Sequence, residues 1–579
     1  MKAPRLNGAG PWGILPIMRT LLTTLHSKYI HPSLALPYLA AYCGDCCGDI
    51  LIREYTIHEP KENVLGRMLR LQPDVIAFSV YLWNRTQTLE LVELLLTVRP
   101  ELKIVLGGPE ISFETAQFFQ RYPVSALICG EGEIPLRKVL LAWSRGQTPV
   151  PSAGVLLPGS SPGPHTVAQL EVLDDIPSPF AEQLVDLSRG FVYYESSRGC
   201  PYRCSFCMSA LDDGVRSFSM ERIKADLSLL MERRVAKIKF VDRTFNYDSR
   251  RSLEIFRFIL EKNRGSHFHF EIGAHLLDDG ILDLLATVPQ GMFQFEIGVQ
   301  SMVTETLLQV DRAVSLEKLT ANVRRLRAAG NIHVHLDLIA GLPGEGYRQF
   351  LSSLDKVAAL SPHHLQIEPV KILPGAPLRD QARSLNLRFD PNPPYTVVET
   401  ADLTFEQLET LRNIGRLMDL LWNSERFTYF LAELSRVIGS LSEALEALQA
   451  FWAARDCFAA PMSLRGVFTV LHDYVQTLPG EPCAVLGDAL ARDFARSERV
   501  VPNSAPGFFN TDLTEAEKRA VRDRVRVEVQ AARTTGGKLQ HFAAVFHHLP
   551  EMSGRTVVLF LYLTRSACPL EIEEITLTP

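Results

Sequence analysis

Three cysteines close together are the strongest chemical feature of the sequence. They lie in the segment Gly199-Cys200-Pro201-Tyr202-Arg203-Cys204-Ser205-Phe206-Cys207, directly after a strand-like run. At this spacing three thiolates can wrap around one corner of an iron–sulfur cluster, which usually takes four cysteines. The next cysteine is Cys457, so one iron would stay open to bind and reduce a small molecule, as catalytic zinc sites keep one position free. A three-cysteine zinc site is the main alternative, although structural zinc prefers four closed ligands.

The length and composition describe an ordinary globular protein of several domains. At roughly 150 residues per domain, 579 residues predict three or four domains. Apolar residues make up 46% and charged residues 22%, which excludes disordered and collagen-like chains. The formal charge of −6 does not favour nucleic acid as a partner, and no apolar run approaches the ~20 residues that span a bilayer. Glycines and prolines interrupt Met1–Pro16, which makes a poor signal peptide, so we expect a cytoplasmic protein.

Strand-like runs alternate with helical patterns in the first segment, residues 1–143. The predicted strands are Arg19–Leu25, Ile50–Ile57, Asp74–Tyr81, Lys103–Leu106 and Ala126–Cys129, and the predicted helices are Thr86–Val98 and Phe113–Tyr122. Such alternation favours an α/β fold with a parallel, Rossmann-like sheet.

Two glycine-bearing loops follow neighbouring strands of this predicted sheet. They read Gly107-Gly108-Pro109-Glu110 and Gly130-Glu131-Gly132-Glu133. Ligands of open α/β sheets bind beyond the carboxyl ends of the strands, and glycines there let a ligand approach the backbone. We therefore expect a ligand at this edge; tight turns without a ligand are the alternative.

A second α/β domain is predicted beyond a linker. Residues 144–188 are rich in Pro, Gly and Ser and predict the linker. Residues 189–385 contain six strand-like runs: Phe191–Ser196, Lys237–Val241, His267–Gly273, Met292–Val299, His333–Ile339 and His364–Ile372. Helical patterns separate most of them, including Met220–Glu232, Arg251–Lys262 and Leu316–Ala329. Six repeated βα units predict a partial (β/α)6 barrel of the TIM type.

Polar and apolar side chains alternate within four of these strands. In one strand Gln294, Glu296 and Gln300 share a face, because side chains two apart point the same way. The other polar positions are His267, His269, Glu271, His333, His335, Asp337, Gln366 and Glu368. A closed barrel is normally filled by branched apolar residues, so a polar lining predicts a cavity that holds a polar ligand. The alternative is that these are edge strands whose polar faces meet water. That alternative explains one such strand well, but it explains four strands separated by helices poorly.

The last region, residues 386–579, is predicted to be mainly helical. Phe405–Trp422, Phe427–Ala450 and Glu515–Ala532 are predicted helices, and Thr556–Leu563 and Glu571–Leu577 are predicted strands. This region has no chemical motif, and we expect a cap or a substrate-recognition domain.

The cysteine spacing, with the aromatic Phe206 before the last cysteine, resembles the radical S-adenosylmethionine (SAM) superfamily. Further segments with that resemblance are Phe240–Asn246, Phe295–Ser301, Val310–Ala313, Asp337–Glu345 and Lys371–Gly375. The resemblance implies that Cys200, Cys204 and Cys207 hold a 4Fe–4S cluster. It implies SAM contacts from Phe206, Asp242 (near the amino group), Glu296 and Gln300 (ribose), Arg312 (carboxylate) and Asp337 (adenine).

The first segment resembles the cobalamin-binding domain that precedes this barrel in one subgroup. The implied cobalamin contacts are Ser79, Tyr81, Trp83, Asn84, Gly107, Gly108, Glu110, Gly130, Glu131, Gly132 and Glu133. Neither His26 nor His58 sits in an Asp-x-His-x-x-Gly frame, whose histidine binds cobalt from below, so the cobalt is expected to lack a histidine ligand. Tyr81 and Trp83 could pack near the corrin underside or be ordinary core aromatics. The C-terminal third resembles an uncharacterised domain attached to part of this subgroup.

The resemblance implies a cobalamin-dependent radical SAM enzyme. In that family the reduced cluster cleaves SAM to a 5′-deoxyadenosyl radical, which abstracts hydrogen from an unactivated position, and methylcobalamin then delivers a methyl group. A small-molecule or natural-product substrate and an electron donor such as flavodoxin or ferredoxin are implied. One alternative is a cyclisation or rearrangement that uses the same cofactors without methyl transfer. A second is methylthio transfer, for which the N-terminal cysteines are badly spaced. A third is a non-enzymatic corrinoid-binding sensor, which would need neither the cysteines nor the polar barrel.

Overall fold

A computed structural model describes most of the chain as two compact units. The described residues are 17–28, 31–113, 115, 118–160, 167–212, 214–534, 538–551, 554–565 and 570–577. The first unit runs to Gly298 and adds Thr304–Val334 and Val370–Ala401, and the second contains Val299–Val303, His335–Pro369 and the chain from Asp402 onward. The domain boundaries at residues 143, 188 and 385 stay predictions, and the segment Met1–Pro16 lies outside the described residues.

The N-terminal part of the first unit is a twisted six-stranded sheet with helices on both faces. Its elements are β1 (Arg19–His26), α1 (Ala35–Cys43), β2 (Asp49–Thr56), α2 (Lys61–Arg70), β3 (Val75–Ser79), α3 (Arg85–Val98), β4 (Lys103–Gly107), α4 (Phe118–Arg121), β5 (Ala126–Ile128), α5 (Glu133–Ser144) and β6 (Val155–Leu156). The strand order is β2-β1-β3-β4-β5-β6, and β1 to β5 are parallel. All five predicted strands are confirmed.

Two apolar clusters, one on each face, hold this sheet to its helices. Leu21, Ile76 and Ile104 are fully buried in one cluster, and Leu22 and Val105 are buried in the other. Strands that are apolar on both faces are typical of parallel sheets covered by helices. The predicted helix at Phe113–Tyr122 is shorter, since α4 begins only at Phe118; residues 114, 116 and 117 lie outside the described part.

The predicted linker packs against both of its neighbours. Within it, β6 adds an antiparallel strand to β5, and the Cys129 amide donates to the Gly154 carbonyl at 3.0 Å. Further on, the Arg222 guanidinium of the second domain donates to the Ile176 carbonyl at 2.7 Å. These bonds join the segment to both domains of the first unit.

Strands and helices continue to alternate from residue 191. The elements are β7 (Phe191–Tyr194), β8 (Ser197–Arg198), β9 (Arg216–Ser217), α6 (Met220–Glu232), β10 (Lys237–Phe240), α7 (Ser249–Lys262), β11 (His267–Glu271), α8 (Asp279–Leu285), β12 (Phe293–Gln300), α9 (Thr304–Gln309), α10 (Leu316–Ala329), β13 (His333–Ala340), α11 (Tyr347–Ala358), β14 (His364–Pro369), α12 (Pro377–Gln381), β15 (Arg388–Phe389) and β16 (Val397–Glu399). All six predicted strands of this domain are present. In the first unit β7, β10, β11 and β12 pair in parallel in that order, and in the second unit β13 pairs in parallel with β14.

Side-chain caps fix where the helices between these strands begin. Ser219, Asp248 and Ser315 each accept a hydrogen bond from the backbone amide three residues on, at 3.2, 2.8 and 3.3 Å. Such caps satisfy amides that have no partner inside the helix. They explain why α6 and α10 begin where the sequence pattern predicts.

Phenylalanines cover one face of these strands and leave the other face polar. Phe270, Phe293 and Phe295 are completely buried and pack around Phe256 of α7, and the equally buried Phe240 packs against Phe270. Burying each ring contributes about 1.5–3 kcal/mol, which fixes the register because a one-residue slip would expose the whole set. Along β12 every second residue is buried and the polar residues between them are half-buried. The predicted alternation is therefore confirmed for β12, whereas His269 of β11 and His335 of β13 are buried although they lie on the polar face.

The second unit continues as helices followed by an antiparallel sheet. Its further elements are α13 (Phe405–Leu417), a π-helical turn (Met418–Trp422), α14 (Thr428–Ile438), α15 (Leu441–Ala453), α16 (Leu464–Val475), α17 (Glu481–Ser497), α18 (Glu515–Thr534), β17 (Lys538–Phe546), β18 (Thr556–Thr564) and β19 (Glu571–Leu577). The single helix predicted at Phe427–Ala450 is wrong, because Gly439, with φ of +133°, separates α14 from α15. The two predicted strands are confirmed, with β18 central between β17 and β19.

None of the helices in the described part of the chain combines the length and the apolar composition that crossing a bilayer requires.

Candidate functional site

The cysteine loop begins at a position that requires glycine. Gly199 follows β8 with φ of +93°, and a Cβ atom there would overlap the carbonyl oxygen of Gly214. The strands β8 and β9, which flank the loop, pair antiparallel. Within the loop the Ser205 amide donates to the Val310 carbonyl at 2.9 Å. The loop is thus held both at its base and in its middle.

The three predicted cluster ligands lie on this loop. Cys204 is 5% exposed, whereas Cys200 and Cys207 are half-buried, and the Cys207 amide donates to the Cys204 carbonyl at 2.9 Å. Burial raises the pKa of Cys204, the Arg312 guanidinium opposes that rise, and the neighbouring thiols add to it. Three thiol donors in one short loop fit the corner of an iron–sulfur cluster. Phe206 is half-buried on the same loop.

Arg312 lies directly against one of these thiols. Its Nη1 is 3.5 Å from Cys204 Sγ, and its Nη2 donates to the Gly298 carbonyl at 2.5 Å. The guanidinium carbon also lies 6.0 Å from the Tyr202 ring centroid. Nε is buried without a hydrogen-bond partner, and a buried donor of this kind costs stability unless a ligand satisfies it. The predicted contact with the SAM carboxylate fits this free donor.

Gln300, in the second unit, has a strained backbone and a buried acceptor. Its φ is +70° and its Oε1 is buried without a hydrogen-bond partner. A non-glycine residue in this region costs about 1–3 kcal/mol, and such residues are enriched at functional sites. A ribose hydroxyl, as predicted, would satisfy this oxygen.

Asp242 follows β10, and its carboxylate has hydrogen-bond partners within the protein. It is completely buried, and it accepts hydrogen bonds from the Ser196 hydroxyl at 2.7 Å and from the Ser197 hydroxyl. Burial raises the pKa of Asp242, and Arg251, 3.9 Å away, opposes that rise. Its carboxylate therefore organises the turn that leads into the cysteine loop, and a direct role in SAM binding stays a prediction.

Glu296 lies among polar side chains that face the same way from neighbouring strands. Its Oε2 is 2.9 Å from His269 Nε2 and 3.3 Å from Lys239 Nζ. Burial lowers the pKa of His269, and the carboxylate of Glu296 opposes that effect. The sequence analysis did not predict Lys239 as a site residue. The alternation of Lys237 and Lys239 with apolar residues along β10 is the signal that could have placed it on the polar face.

Asp337, in the second unit, pairs with a histidine of its own strand. Its Oδ1 is 2.9 Å from His335 Nε2, and His335 packs edge-on against His364 of β14 at 4.1 Å between ring centroids. The predicted contact of Asp337 with adenine is not tested by these distances.

Four predicted cobalamin contacts lie at the end of β3 and in the loop that follows it. The completely buried Asn84 side chain donates to the Leu25 carbonyl at 2.9 Å and accepts from the Tyr81 amide at 2.8 Å. Tyr81 and Trp83 stack at 4.6 Å between centroids, and Trp83 is 45% exposed. The carbonyl of Ser79 accepts from the Thr24 hydroxyl and from Asn84. Asn84 thus shapes the loop, and the exposed, stacked Trp83 is not an ordinary core residue.

The loop after β4 requires glycine at one of its two glycine positions. Gly108 has φ of +102°, and a Cβ atom there would lie 2.5 Å from the Val80 carbonyl oxygen. At Gly107 a Cβ atom would meet only Ile128 at 3.4 Å, an ordinary contact. The buried Glu110 carboxylate accepts from the Tyr395 hydroxyl at 2.8 Å and pairs with Arg85 at 3.2 Å. Glu110 therefore has partners within the chain.

We expect Gly108→Ala to destabilise the N-terminal domain and to reduce the amount of bound corrinoid. An alanine at this φ costs about 1–3 kcal/mol, and its clash with the Val80 backbone adds to that cost. The matched control is Gly66→Ala on α2, where a Cβ atom would meet only the end of the Arg70 side chain at 3.6 Å; this variant should retain corrinoid like the parent chain and unfold no sooner. Thermal unfolding and the absorbance of hydroxocobalamin retained after gel filtration measure both effects. Equal behaviour of the two variants would contradict the assigned role of Gly108.

The loop after β5 is joined to the cysteine loop by two arginines. Arg198, which directly precedes Gly199, lies 2.6 Å from Glu133 and 3.3 Å from Glu131, and it donates to both carboxylate oxygens of Glu195 at 3.1 Å. Arg216, its pairing partner on β9, also contacts Glu131. Burial raises the pKa of Glu195 to about 7, and Arg198 opposes that rise. Glu131 and Glu133, predicted cobalamin contacts, thus have protein partners, a role that sequence reasoning missed.

The two glycines of this loop are also constrained. Gly130 has φ of +79° and a Cβ atom there would approach Val167 Cβ to 2.8 Å, while at Gly132 it would approach Leu39 Cδ2 to 2.9 Å. Any residue with a Cβ atom at either position would therefore collide with these neighbouring side chains. A role of these glycines in cobalamin binding stays a prediction.

Three histidines of the N-terminal domain lie close to polar groups of the protein. His26 is buried with its Nε2 3.5 Å from Glu54, and His58 Nε2 is 3.0 Å from the Ser27 carbonyl oxygen. His31 Nδ1 is 2.8 Å from the Tyr193 hydroxyl at the barrel strand β7. Tyr29 and Ile30 of the same loop lie outside the described residues.

Three family descriptions match successive parts of the chain. Residues 21–140 match the B12 binding domain, residues 194–357 match the Radical SAM superfamily, and residues 384–544 match a protein of unknown function, DUF4080.

Among curated proteins, the chain is similar to two that are named as methyltransferases. It is 29% identical to "Cobalamin-dependent radical SAM methyltransferase TokK" of Streptomyces tokunonensis, over 59% of this chain and 54% of that protein. It is 27% identical to "2-(S-pantetheinyl)-carbapenam-3-carboxylate methyltransferase" of Streptantibioticus cattleyicolor, over 58% of this chain and 54% of the relative. The chain spans about half the length of the curated relatives it matches.

Solved structures show the same fold. OxsB, described as a cobalamin-dependent S-adenosylmethionine radical enzyme with aqua-cobalamin bound, has a TM-score of 0.59 at 16% identity, covering 83% of this chain and 81% of its own. The methyltransferase TsrM from Kitasatospora setae, with cobalamin and a [4Fe-4S] cluster bound, has a TM-score of 0.55 at 16% identity, covering 65% and 78%. The chain has an α/β fold with an N-terminal B12-binding domain, a central radical SAM domain and a helical C-terminal region. The sequence thus matches, in chain order, the B12 binding domain, the Radical SAM superfamily and the protein of unknown function DUF4080.

Proposed function

We propose that this chain is a cobalamin-dependent radical SAM methyltransferase that alkylates an unactivated carbon of a small molecule. One observation carries the proposal: Arg198 joins the loop of the three cysteines to the Gly130–Glu133 loop of the B12-binding domain within one compact unit. An enzyme that uses a cluster and a corrin in one reaction needs their binding loops held together. A corrinoid sensor needs no such connection to a cysteine triad.

Different residues of the chain would bind the different cofactors. Cys200, Cys204 and Cys207 would hold the cluster, and Arg312 would meet the SAM carboxylate through its free Nε. Gln300 would accept from the ribose, and the glycine loops of the first domain would hold the corrin. When bound, these cofactors supply a carbon radical and a methyl group, while the protein positions them.

The proposal also includes a class of substrate and an electron donor. The substrate is a small molecule or natural product, and a cytoplasmic flavodoxin or ferredoxin supplies the electrons. Nucleic acid is not proposed as a partner, since the chain has 60 basic and 66 acidic residues.

The experiment uses the full chain, reconstituted without oxygen, and needs no knowledge of the substrate. The protein is supplied with iron, sulfide, hydroxocobalamin, a strong reductant and SAM with a deuterated methyl group. We expect about four irons per chain, 5′-deoxyadenosine, S-adenosylhomocysteine and the deuterated methyl group on the corrinoid. Nucleoside without methyl transfer would instead indicate a cyclase or rearrangement enzyme. Bound corrinoid with neither product would indicate a sensor, and either result would overturn the proposal.

A further inference from the structure

Three cysteines of the N-terminal domain form a second group of thiols, far along the chain from the cluster loop. Cys43 ends α1, and Cys46 and Cys47 lie in the 3₁₀ turn Asp45–Cys47 that follows it. Cys43 and Cys47 are completely buried, whereas Cys46 is exposed. Packing explains the two buried thiols, because free cysteine behaves as a small apolar residue, but it does not explain an exposed one beside them.

The exposed and the buried thiol of the turn lie close enough to react. Cys46 Sγ is 3.9 Å from Cys47 Sγ, and Arg137 Nη2 of α5 lies 3.6 Å from Cys46 Sγ. Reactive cysteines characteristically sit at exposed positions beside a cation, and redox-sensitive ones have a second thiol next to them. This turn meets both conditions.

Cys47 has the character of the attacking thiol. A hydrogen bond from Cys43 lowers the pKa of Cys47 to about 7, with a further contribution from Cys46, while burial opposes the shift. This direction favours the thiolate form, which is the form that attacks a neighbouring sulfur. Among the described residues, the three thiols do not converge within the distance that a shared metal ion needs, so the geometry favours a thiol pair over a three-sulfur metal site.

We propose that Cys46 and Cys47 form a reversible redox pair that a hydroperoxide oxidises to a disulfide. The exposed Cys46 thiolate attacks the peroxide oxygen, gives a sulfenic acid and releases hydroxide or an alkoxide. The Cys47 thiolate then attacks Cys46 Sγ, the S–S bond forms and hydroxide leaves. The protein loses two electrons in total, the peroxide gains them, and a dithiol reductant reverses the change.

The position of the pair makes the disulfide labile. Adjacent Cα atoms are about 3.8 Å apart, below the ~4.4 Å at which ordinary disulfides begin, so the bond is strained and easily reduced. The pair packs on α5 through Arg137, and the first residue of α5 is Glu133 of the loop that Arg198 holds. Oxidation would therefore act on the helix that follows the B12-domain loop.

The test is mass spectrometry of the full chain after oxidation and alkylation. Anaerobically purified protein receives equimolar hydrogen peroxide and then iodoacetamide and trypsin. Residues Tyr29–Arg53 form one tryptic peptide with all three thiols, while the cluster cysteines fall in other peptides. We expect a peptide lighter by two hydrogens with a single alkylated cysteine, and full alkylation after dithiothreitol.

Two serine variants and one arginine variant decide between the possible pairs. Cys46→Ser should abolish the oxidised peptide, Cys43→Ser should retain it, and Arg137→Met should slow its formation several-fold. Persistence of the oxidised peptide in Cys46→Ser would assign the bond to Cys43 and Cys47 and overturn the proposal. So would peroxide treatment that leaves all three thiols of the parent chain open to alkylation.

Discussion

Cys204→Ala is expected to leave the chain without its cluster and without detectable 5′-deoxyadenosine. Cys204 is the most buried of the three thiols and accepts a hydrogen bond from Arg312. Two remaining thiolates are too few for the corner of a cubane cluster. Iron and sulfide content, the electron paramagnetic resonance of the reduced cluster and chromatography of the nucleoside measure the loss after anaerobic reconstitution.

The control separates loss of the cluster from loss of the fold. Cys457 is half-buried and lies outside the triad, and its thiol makes a long contact of 3.8 Å with the Arg455 carbonyl. Cys457→Ala should keep iron, nucleoside formation and corrinoid at parent levels. Cys204→Ala should keep only the corrinoid, because the B12-binding domain does not contain this residue. Nucleoside formation at the parent rate in Cys204→Ala, or zinc in place of iron in the parent chain, would contradict the assignment.

Periodicity and glycine chemistry let the sequence predict much of the fold. The alternation of Phe293 and Phe295 with polar residues predicts β12 and its polar face, since only one register buries the aromatic rings. The helix α6 begins where the sequence predicts because Ser219 caps its first turn. By contrast, the predicted helix across Gly439 fails because an apolar pattern can continue through a break. The strand β17 has no regular alternation and is stabilised by its pairing with β18.

The site was predictable in its residue types and less so in their partners. The cysteine spacing alone indicates the cluster ligands. No local pattern reveals that Glu131 and Glu133 meet arginines 65 or more positions later, as Arg198 meets Glu133, because such contacts depend on how two domains pack. The same holds for Asp242, whose serine partners precede it by 46 and 45 residues. The sequence can identify a carboxylate as a candidate site residue, but the tertiary structure determines whether that carboxylate contacts a ligand or another part of the protein.

Arg198 is expected to be the residue whose loss affects the cluster loop and the corrin loop together. Its side chain is 13% exposed and holds Glu131, Glu133 and Glu195 at once. Removing one partner of a buried ion pair costs about 3–5 kcal/mol, because the other charge stays buried and unpaired. We expect Arg198→Met to retain much less hydroxocobalamin and to alter the resonance spectrum of the reduced cluster.

A matched arginine distinguishes this coupling from a general loss of stability. Arg222 is equally inaccessible, with a side chain 14% exposed, and pairs with Asp226 on its own helix. Arg222→Met should lower the unfolding temperature but leave the corrinoid and the cluster spectrum as in the parent chain. Arg198→Lys keeps the charge without the planar fork that lets one arginine hold several carboxylates, so an intermediate loss is expected there.

A double-mutant cycle between Arg198 and Glu133 locates the coupling. If their contact joins the two loops, Arg198→Met and Glu133→Gln together should reduce corrinoid retention by less than the product of their separate effects, as residues in direct contact do. The cluster spectrum should then change in Glu133→Gln as well, although Glu133 belongs to the other domain. Independent effects of the two substitutions, or a cluster spectrum that Glu133→Gln leaves unchanged, would show that Arg198 stabilises the fold without joining the two cofactor loops.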